Sequence, residues 1–170
     1  MSIVITATRE HEIACGHRVV GHEGKCKYLH GHNYLFRFIC EAERLDSVGR
    51  VIDFGVIKER LCMWLERNWD HRFLVWEQDR VLLKLLLQSP VLQASSNDLA
   101  AFMAEDFEAL VAASLAVVPF NPTAENIAQY MLEVVGPAQL SGTGVRLTGC
   151  KVMETRKCGA LAALNSPIKT

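Results

Sequence analysis

The stretch GKCKYLHGHNYLFRFICEAE, residues 24–43, decides how this chain folds and where its chemistry sits. From residue 30 onward it alternates. Tyr34, Phe36, Phe38 and Cys40 fall on one face of an extended chain, and Arg37, Glu41 and Glu43 fall on the other. Period-two patterning of this kind predicts a strand over 30–43, in an antiparallel sheet with one face on a core. The strand opens with His30 and His32, which at i and i+2 point to the same face. Gly31 between them adds no side chain to crowd the pair. A third histidine, His17, lies upstream in ACGHRVV, and Cys26 lies between. Three neutral imidazoles with a fourth position left open are the ligand set of a catalytic zinc; a fourth protein ligand would make the site structural. Taken singly, His17 reads as a solvated or hydrogen-bonded loop histidine and Cys26 as a small buried hydrophobe. The package over residues 17–32 is what points to a metal. A cupin-type strand also carries HxH but wants a glutamate soon after; here Tyr34, Leu35, Phe36 and Arg37 follow, and the first glutamate is Glu41.

Working outward, Ile3, Ile5 and Ala7 alternate and predict a strand over 3–13, joined to 30–43 as a long hairpin. The loop over 18–29, with Gly21, Gly24, Lys25 and Lys27, suits a connection that lines a site. Asp46, Ser47 and Gly49 make a turn, and Asp53 can cap a helix to about residue 68, with Ile57, Leu61, Trp64 and Leu65 as its apolar stripe. Asp70 and His71 follow that helix. An acid beside a histidine can orient the ring for proton transfer, although a turn aspartate next to a surface histidine is the plainer reading of the pair. Residues 79–88 and 97–114 have helical patterning, interrupted at Ser89-Pro90, and 116–120 reads as a short extended piece. NPTAEN, residues 121–126, opens another helix, with Asn121 or Thr123 as cap and Glu125 in the first turn. Ile127, Tyr130, Met131 and Val134 form its stripe, and Gly136-Pro137 is expected to end it. Strands follow over 145–155 and 159–164. Glu154, beside Arg156 and Lys157, reads first as a surface ion pair.

The order strand, strand, helix, helical insert, helix, strand, strand predicts one α+β domain over 1–170. It would have a four-stranded antiparallel sheet, two main helices on one face, and an insert at about 75–118 decorating the outside. Two open sheet edges need protection, so a homo-oligomer is expected. The 170 residues are 50% hydrophobic and 22% charged, enough for a packed core. A net charge of −1 speaks against a nucleic-acid backbone as partner. No apolar run approaches membrane-spanning length, and MSIVITATREHE lacks the pattern of a secretory signal, so no membrane partner and a cytoplasmic setting are expected. Six cysteines without a C-x-x-C pair read as free thiols, with Cys40, Cys62 and Cys150 in the core.

These motifs together resemble a known family. ACGHRV, GKCKYLHGHNY, GRVIDFGVIKE, WDHRFL, NPTAENIAQYM and VRLTGCKVMETRKCGA are similar, nearly end to end, to the 6-pyruvoyl-tetrahydropterin and 6-carboxy-tetrahydropterin synthases. The resemblance implies the tunnelling (T-fold) architecture, with trimers stacked into hexamers and sites shared between subunits. It implies His17, His30 and His32 as zinc ligands, Cys26 as catalytic base, and Asp70 and His71 as a catalytic pair. It implies that Glu154 anchors the pterin ring and that Thr123 and Glu125 line the pterin pocket. The implied substrate is 7,8-dihydroneopterin triphosphate. One family activity stops at 6-pyruvoyl-tetrahydropterin. The other also releases acetaldehyde and leaves 6-carboxy-tetrahydropterin, a step toward queuosine. The short CxxxHGH spacing resembles the compact bacterial form and favours the second. A folate-precursor paralogue is disfavoured by the intact Cys26. A non-catalytic zinc or pterin-binding module would not require Cys26, Asp70 and His71.

Overall fold

A computed structural model of the chain describes residues 3–88 and 112–164. The elements run β1 (Ala7–His17), β2 (His30–Ala42), α1 (Phe54–Ile57), α2 (Met63–Asn68), β3 (Phe73–Trp76), α3 (Arg80–Gln88), β4 (Leu115–Val118), α4 (Ala124–Tyr130), α5 (Gly136–Leu140), β5 (Val145–Met153) and β6 (Gly159–Ala163). Residues 97–111, the greater part of the second helix expected in the insert, lie outside the described residues. The described residues group into two compact units. One draws on residues 1–14, 32–70 and 123–170, the other on residues 15–31 and 71–122.

Among the described residues the sheet has six strands, in the order β4-β3-β1-β2-β5-β6, not the four expected, and it is not wholly antiparallel. β3 runs parallel to β1, with Gly16 opposite Phe73 and His17 opposite Leu74, and β4 runs parallel to β3 along its whole length. Four-residue strands are too short to display an alternation, which is why the sequence pattern missed β3. Their parallel pairing also gives the insert a structural reason. Parallel neighbours cannot be joined by a tight turn and need a crossover of a dozen or more residues. The chain between Trp76 and Leu115 is long enough for one.

In the first unit, β2 turns Tyr34, Phe36, Phe38 and Cys40 inward, as the alternation predicts, and all four are buried. Phe36 packs on Trp69 at 6.4 Å between ring centroids, and Trp69 stacks on Tyr130 at 6.0 Å, so strand and helices share one aromatic core. Of the two expected stripes, Val134 is exposed, while Ile57, Leu61, Leu65, Ile127 and Met131 are fully buried. Each such side chain contributes about 1.5–3 kcal/mol by leaving water. β5 pairs antiparallel with β2, but the register shifts between Ile39 and Cys40: Ile39 faces Gly149, and Cys40 faces Leu147. Thr148 is the extra residue of a β-bulge. Its hydroxyl donates to Glu41 Oε1 at 3.0 Å. The bulge reverses which residues of β5 point inward, from Val152 and Cys150 to Leu147 and Val145, all buried.

Asp53 caps the first helical stretch by accepting from Gly55 N at 2.7 Å. Thr123 caps the second by accepting from Asn126 N at 3.2 Å. Both stretches widen into a π turn, at Lys58–Cys62 and Met131–Val135. The second π turn overturns the expected stop at Gly136-Pro137, because α5 continues from Gly136 to Leu140. Gly136 N–H reaches back five residues to Met131 O, and this looser turn accommodates the proline ring. Gly136 itself permits close packing: a Cβ there would lie 2.7 Å from Leu147 Cδ2.

Candidate metal centre and active site

β1 ends at His17 and β2 begins at His30, and the two strands are neighbours in the sheet. The His17 and His30 rings lie 4.5 Å apart between centroids. His32, two residues further along β2, completes the cluster. One nitrogen from each of the three rings lies within 4.8 Å of the others. Among the described residues, no cysteine or carboxylate belongs to this group. Two of the rings are oriented by backbone carbonyls. His17 Nδ1 lies 2.7 Å from Pro122 O, and His30 Nδ1 lies 2.7 Å from Tyr28 O. A carbonyl only accepts, so in both rings Nδ1 is the nitrogen that donates, which in the neutral imidazole leaves the lone pair on Nε2. Donation of the second ring nitrogen to a carbonyl is how metal-binding histidines are held in other proteins. The donor set therefore fits a metal ion that takes imidazole ligands, as zinc does: three rings converge, two of them held by carbonyls, with no fourth protein ligand among the described residues. Gly31 serves the site differently from the expectation. A Cβ there would lie 3.0 Å from Cys15 O, so the glycine permits a close backbone approach.

The remaining sequence candidates fall in different settings. Cys26 is half-buried in a 3₁₀ turn, Lys25–Lys27, in which no residue is buried. Its carbonyl accepts from Val19 N at 2.8 Å, which ties the turn to the chain just past His17. Asp70 closes the first helical stretch, and its Oδ1 accepts from Ala14 N at 3.0 Å. His71 follows with φ of 55°, in the left-handed region that a non-glycine residue rarely adopts, and its side chain is exposed. Strain of this sort recurs at functional sites. Glu154 is half-buried beyond the end of β5, and Tyr34 OH donates to its Oε1 at 3.4 Å. The Tyr34 ring meets the His32 ring edge-on at 5.5 Å. Tyr34 thus links a metal-cluster histidine to Glu154. Thr123 is used as the helix cap, and Glu125 is exposed in the first turn of α4. Lys25 and Lys27 are exposed, as solvated lysines should be.

The sequence reading missed the supports. Pro122 and Tyr28 contribute only carbonyls, which leave no signature in a sequence. Asn121 was expected only as a possible cap. Its side chain instead accepts from Val20 N at 2.9 Å and donates to Val20 O at 2.8 Å, standing in for a strand partner. Tyr34 was read as core alone. The alternation was correct, but it could not show where the hydroxyl ends.

A cavity of about 690 Å³ opens in the first unit, lined among others by Glu10, Arg37, Lys151, Glu154 and Arg156. None of the three histidines lines it. It takes the outward residues of β2, and its acids and bases compensate one another. The histidine cluster is the better guide to the chemistry, because converging lone pairs are a stronger constraint than an open hollow of mixed charge.

Residues 6–163 match the family model described as 6-pyruvoyl tetrahydropterin synthase. The chain belongs to that family. Among its relatives is the 6-carboxy-5,6,7,8-tetrahydropterin synthase of Rickettsia felis, 30% identical over 155 residues, covering 91% of this chain and 97% of that one. A solved structure of an uncharacterised Wolinella succinogenes protein superimposes with a TM-score of 0.77 at 25% identity, over 97% of this chain and 100% of that one. The 6-pyruvoyl tetrahydropterin synthase of Caenorhabditis elegans superimposes with a TM-score of 0.59 at 20% identity, over 96% of this chain and 97% of that one. The last likeness supports the T-fold, an α+β sheet with helices on one face. This is a pterin synthase family of lyase type, and its members act on pterins. Among the described residues, no helix is long and apolar enough to cross a membrane.

Proposed function

We propose that this chain is a zinc-dependent lyase. It would convert 7,8-dihydroneopterin triphosphate and one water to 6-carboxy-5,6,7,8-tetrahydropterin, acetaldehyde and triphosphate, on the way to queuosine. The observation that carries the reading is the convergence of His17, His30 and His32, with no fourth protein ligand among the described residues. The 6-carboxy-5,6,7,8-tetrahydropterin synthase name of the Rickettsia relative supports the 6-carboxy product over the 6-pyruvoyl one. A bound zinc would supply Lewis acidity toward the hydroxyl oxygens of the substrate side chain.

The residues take the following parts. Cys26 acts as the thiolate base that removes a side-chain proton. His71, next to Asp70 in the chain, exchanges the second proton; the bond from Ala14 N fixes Asp70, and the left-handed backbone at His71 fixes where its ring departs. Glu154 accepts hydrogen bonds from the pterin amide and amino groups, and Tyr34 holds the carboxylate that does so. A pterin edge that lacks those donors would leave Glu154 unsatisfied, which is a strong basis for discrimination. Thr123 and Glu125, at the start of α4, line the pterin pocket. The subunits assemble as trimers or hexamers in the cytoplasm. Sedimentation at a single subunit mass of 19.0 kDa would count against that assembly.

Product analysis tests the proposal. Zinc-loaded protein is given dihydroneopterin triphosphate, and acetaldehyde and pterins are followed by mass. Acetaldehyde with the 6-carboxy pterin is the expected result. A 6-pyruvoyl product without acetaldehyde would favour the activity for which the family model is described. The Cys26→Ala variant should keep zinc and lose most turnover. Full turnover would remove Cys26 from the mechanism, and loss of zinc would make it a ligand.

A further inference from the structure

The turn that carries Cys26 has no buried residue to anchor it, so hydrogen bonds must hold it in place. Two of its carbonyls are engaged from the segment after His17. Cys26 O takes the Val19 amide, and Lys27 O accepts from Arg18 Nη1 at 3.3 Å. The same guanidinium is gripped from behind. Arg18 Nε and Nη2 donate to the two carboxylate oxygens of Asp79, with Nη2 to Oδ1 at 2.9 Å. This is the forked pairing that only arginine can make. Asp79 is only 3% exposed and is itself fixed. Its amide donates to Trp76 O at the end of β3, and its Oδ1 and carbonyl accept from Leu82 N and Leu83 N in the first turn of α3.

A continuous run of bonds therefore leads from the start of the crossover insert, through Asp79 and Arg18, to the backbone beside Cys26. We propose that Arg18 is a positioning residue for Cys26, that Asp79 orients it, and that the insert serves the active site through this latch instead of decorating the outside. The proposal rests on the reading of Cys26 as the reactive thiol. Arg18 follows a metal-cluster histidine directly. Its side chain thus sets the turn's place relative to His17, and a shift of about 1 Å in a reacting group can cost on the order of a hundredfold in rate.

The test uses the full-length, zinc-loaded protein and two conservative variants. Arg18→Lys keeps the charge but has a single ammonium, which cannot fork onto Asp79 and reach Lys27 O together. Asp79→Asn keeps the size and one acceptor for Leu82 N but loses the two-oxygen grip. The first readout is the rate of iodoacetamide alkylation at Cys26, by peptide mass at fixed pH, relative to exposed Cys158 in the same molecule. The second is kcat against KM, with zinc content and urea midpoint as controls. Both variants are expected to shift the Cys26/Cys158 ratio several-fold and to lower kcat about tenfold or more, with KM within a few-fold and zinc retained.

An unchanged ratio and an unchanged kcat, with only a lowered urea midpoint, would show an ordinary structural ion pair and overturn the proposal. The charge swap Arg18→Asp with Asp79→Arg sharpens the distinction. It can restore an ion pair, but aspartate at 18 has no donor for Lys27 O. Recovery of the midpoint without recovery of kcat or the ratio is expected, and recovery of all three would overturn the latch. If Cys26→Ala kept full turnover, the reading of Cys26 as base would fail, while the alkylation ratio would still decide whether the latch places that turn.

Discussion

Tyr34 shows how one side chain can serve both packing and chemistry. Its ring is fully buried between His32 and Phe36, and its hydroxyl reaches Glu154. Removing the hydroxyl with Tyr34→Phe leaves the ring's packing and costs one hydrogen bond, net about 1 kcal/mol, or about fivefold in an equilibrium constant. If Glu154 grips the pterin, this variant should raise KM by about that factor and leave zinc content unchanged, as measured by steady-state kinetics and metal analysis. A rise in KM no larger than error would separate Tyr34 from substrate binding. Gly16 makes a different point at the same scale. A Cβ there would lie within 2.4 Å of Phe73 Cδ2, so the glycine lets the Phe73 ring close over β1 next to His17. Gly16→Ala must displace that ring. Overpacking of this kind costs about 1–3 kcal/mol, and the urea midpoint should fall accordingly. The sequence marked the histidines at this scale because ligand type and i, i+2 spacing suffice. It could not mark Gly16, whose neighbour is distant in the chain.

Among the elements, α3 starts from a buried charge, Asp79. Burial acts to raise the Asp79 carboxyl, but the Arg18 guanidinium and the Leu82 amide outweigh it and hold the group below the usual carboxylate range. A carboxylate with a depressed folded-state value contributes stability that is complete above its unfolded value, near 3.9, and is lost as pH falls through the lower folded one. Wild type should therefore exceed Asp79→Asn in urea midpoint at neutral pH, and the difference should shrink below about pH 4. A constant difference down to pH 2 would assign the effect to shape instead of charge. The helix starts were readable in the sequence, since Asp53 and Thr123 cap where local preference puts them. The helix end at Gly136-Pro137 was not, because the π turn that accommodates the proline is set by packing against β5. Local rules also missed the bulge at Thr148, which exists only in the pairing of two strands.

Across the whole molecule, the metal should act as a folding ligand. The three histidines come from strand ends 13 residues apart in sequence, His17 and His30 with His32 beyond, and they converge only in the folded chain. An ion that binds the folded state alone stabilises it by mass action, about 2.7 kcal/mol at a hundred times its dissociation constant. Adding zinc to chelator-stripped protein should raise Tm in a concentration-dependent way, and His32→Ala should abolish the rise. An equal rise in that variant would place the binding elsewhere. Cys40 and Cys150 make a useful contrast: burial pushes both thiols up to about 12, which keeps them protonated at neutral pH.

The alternation of residues 30–43, the helical stripes and the histidine spacing follow from local geometry, and they were enough to reach the fold class, the principal helices and the metal cluster. The rest depended on partners far apart in the chain. Two short strands become strands only by parallel pairing, β3 with β1 and β4 with β3. Carbonyls from Tyr28 and Pro122 set the histidine tautomers, and every residue has a carbonyl, so no residue type announces them. Arg18 and Asp79 are unremarkable in sequence, 61 positions apart. Their pairing acquires meaning only when the fold brings the start of the insert against the turn that holds Cys26.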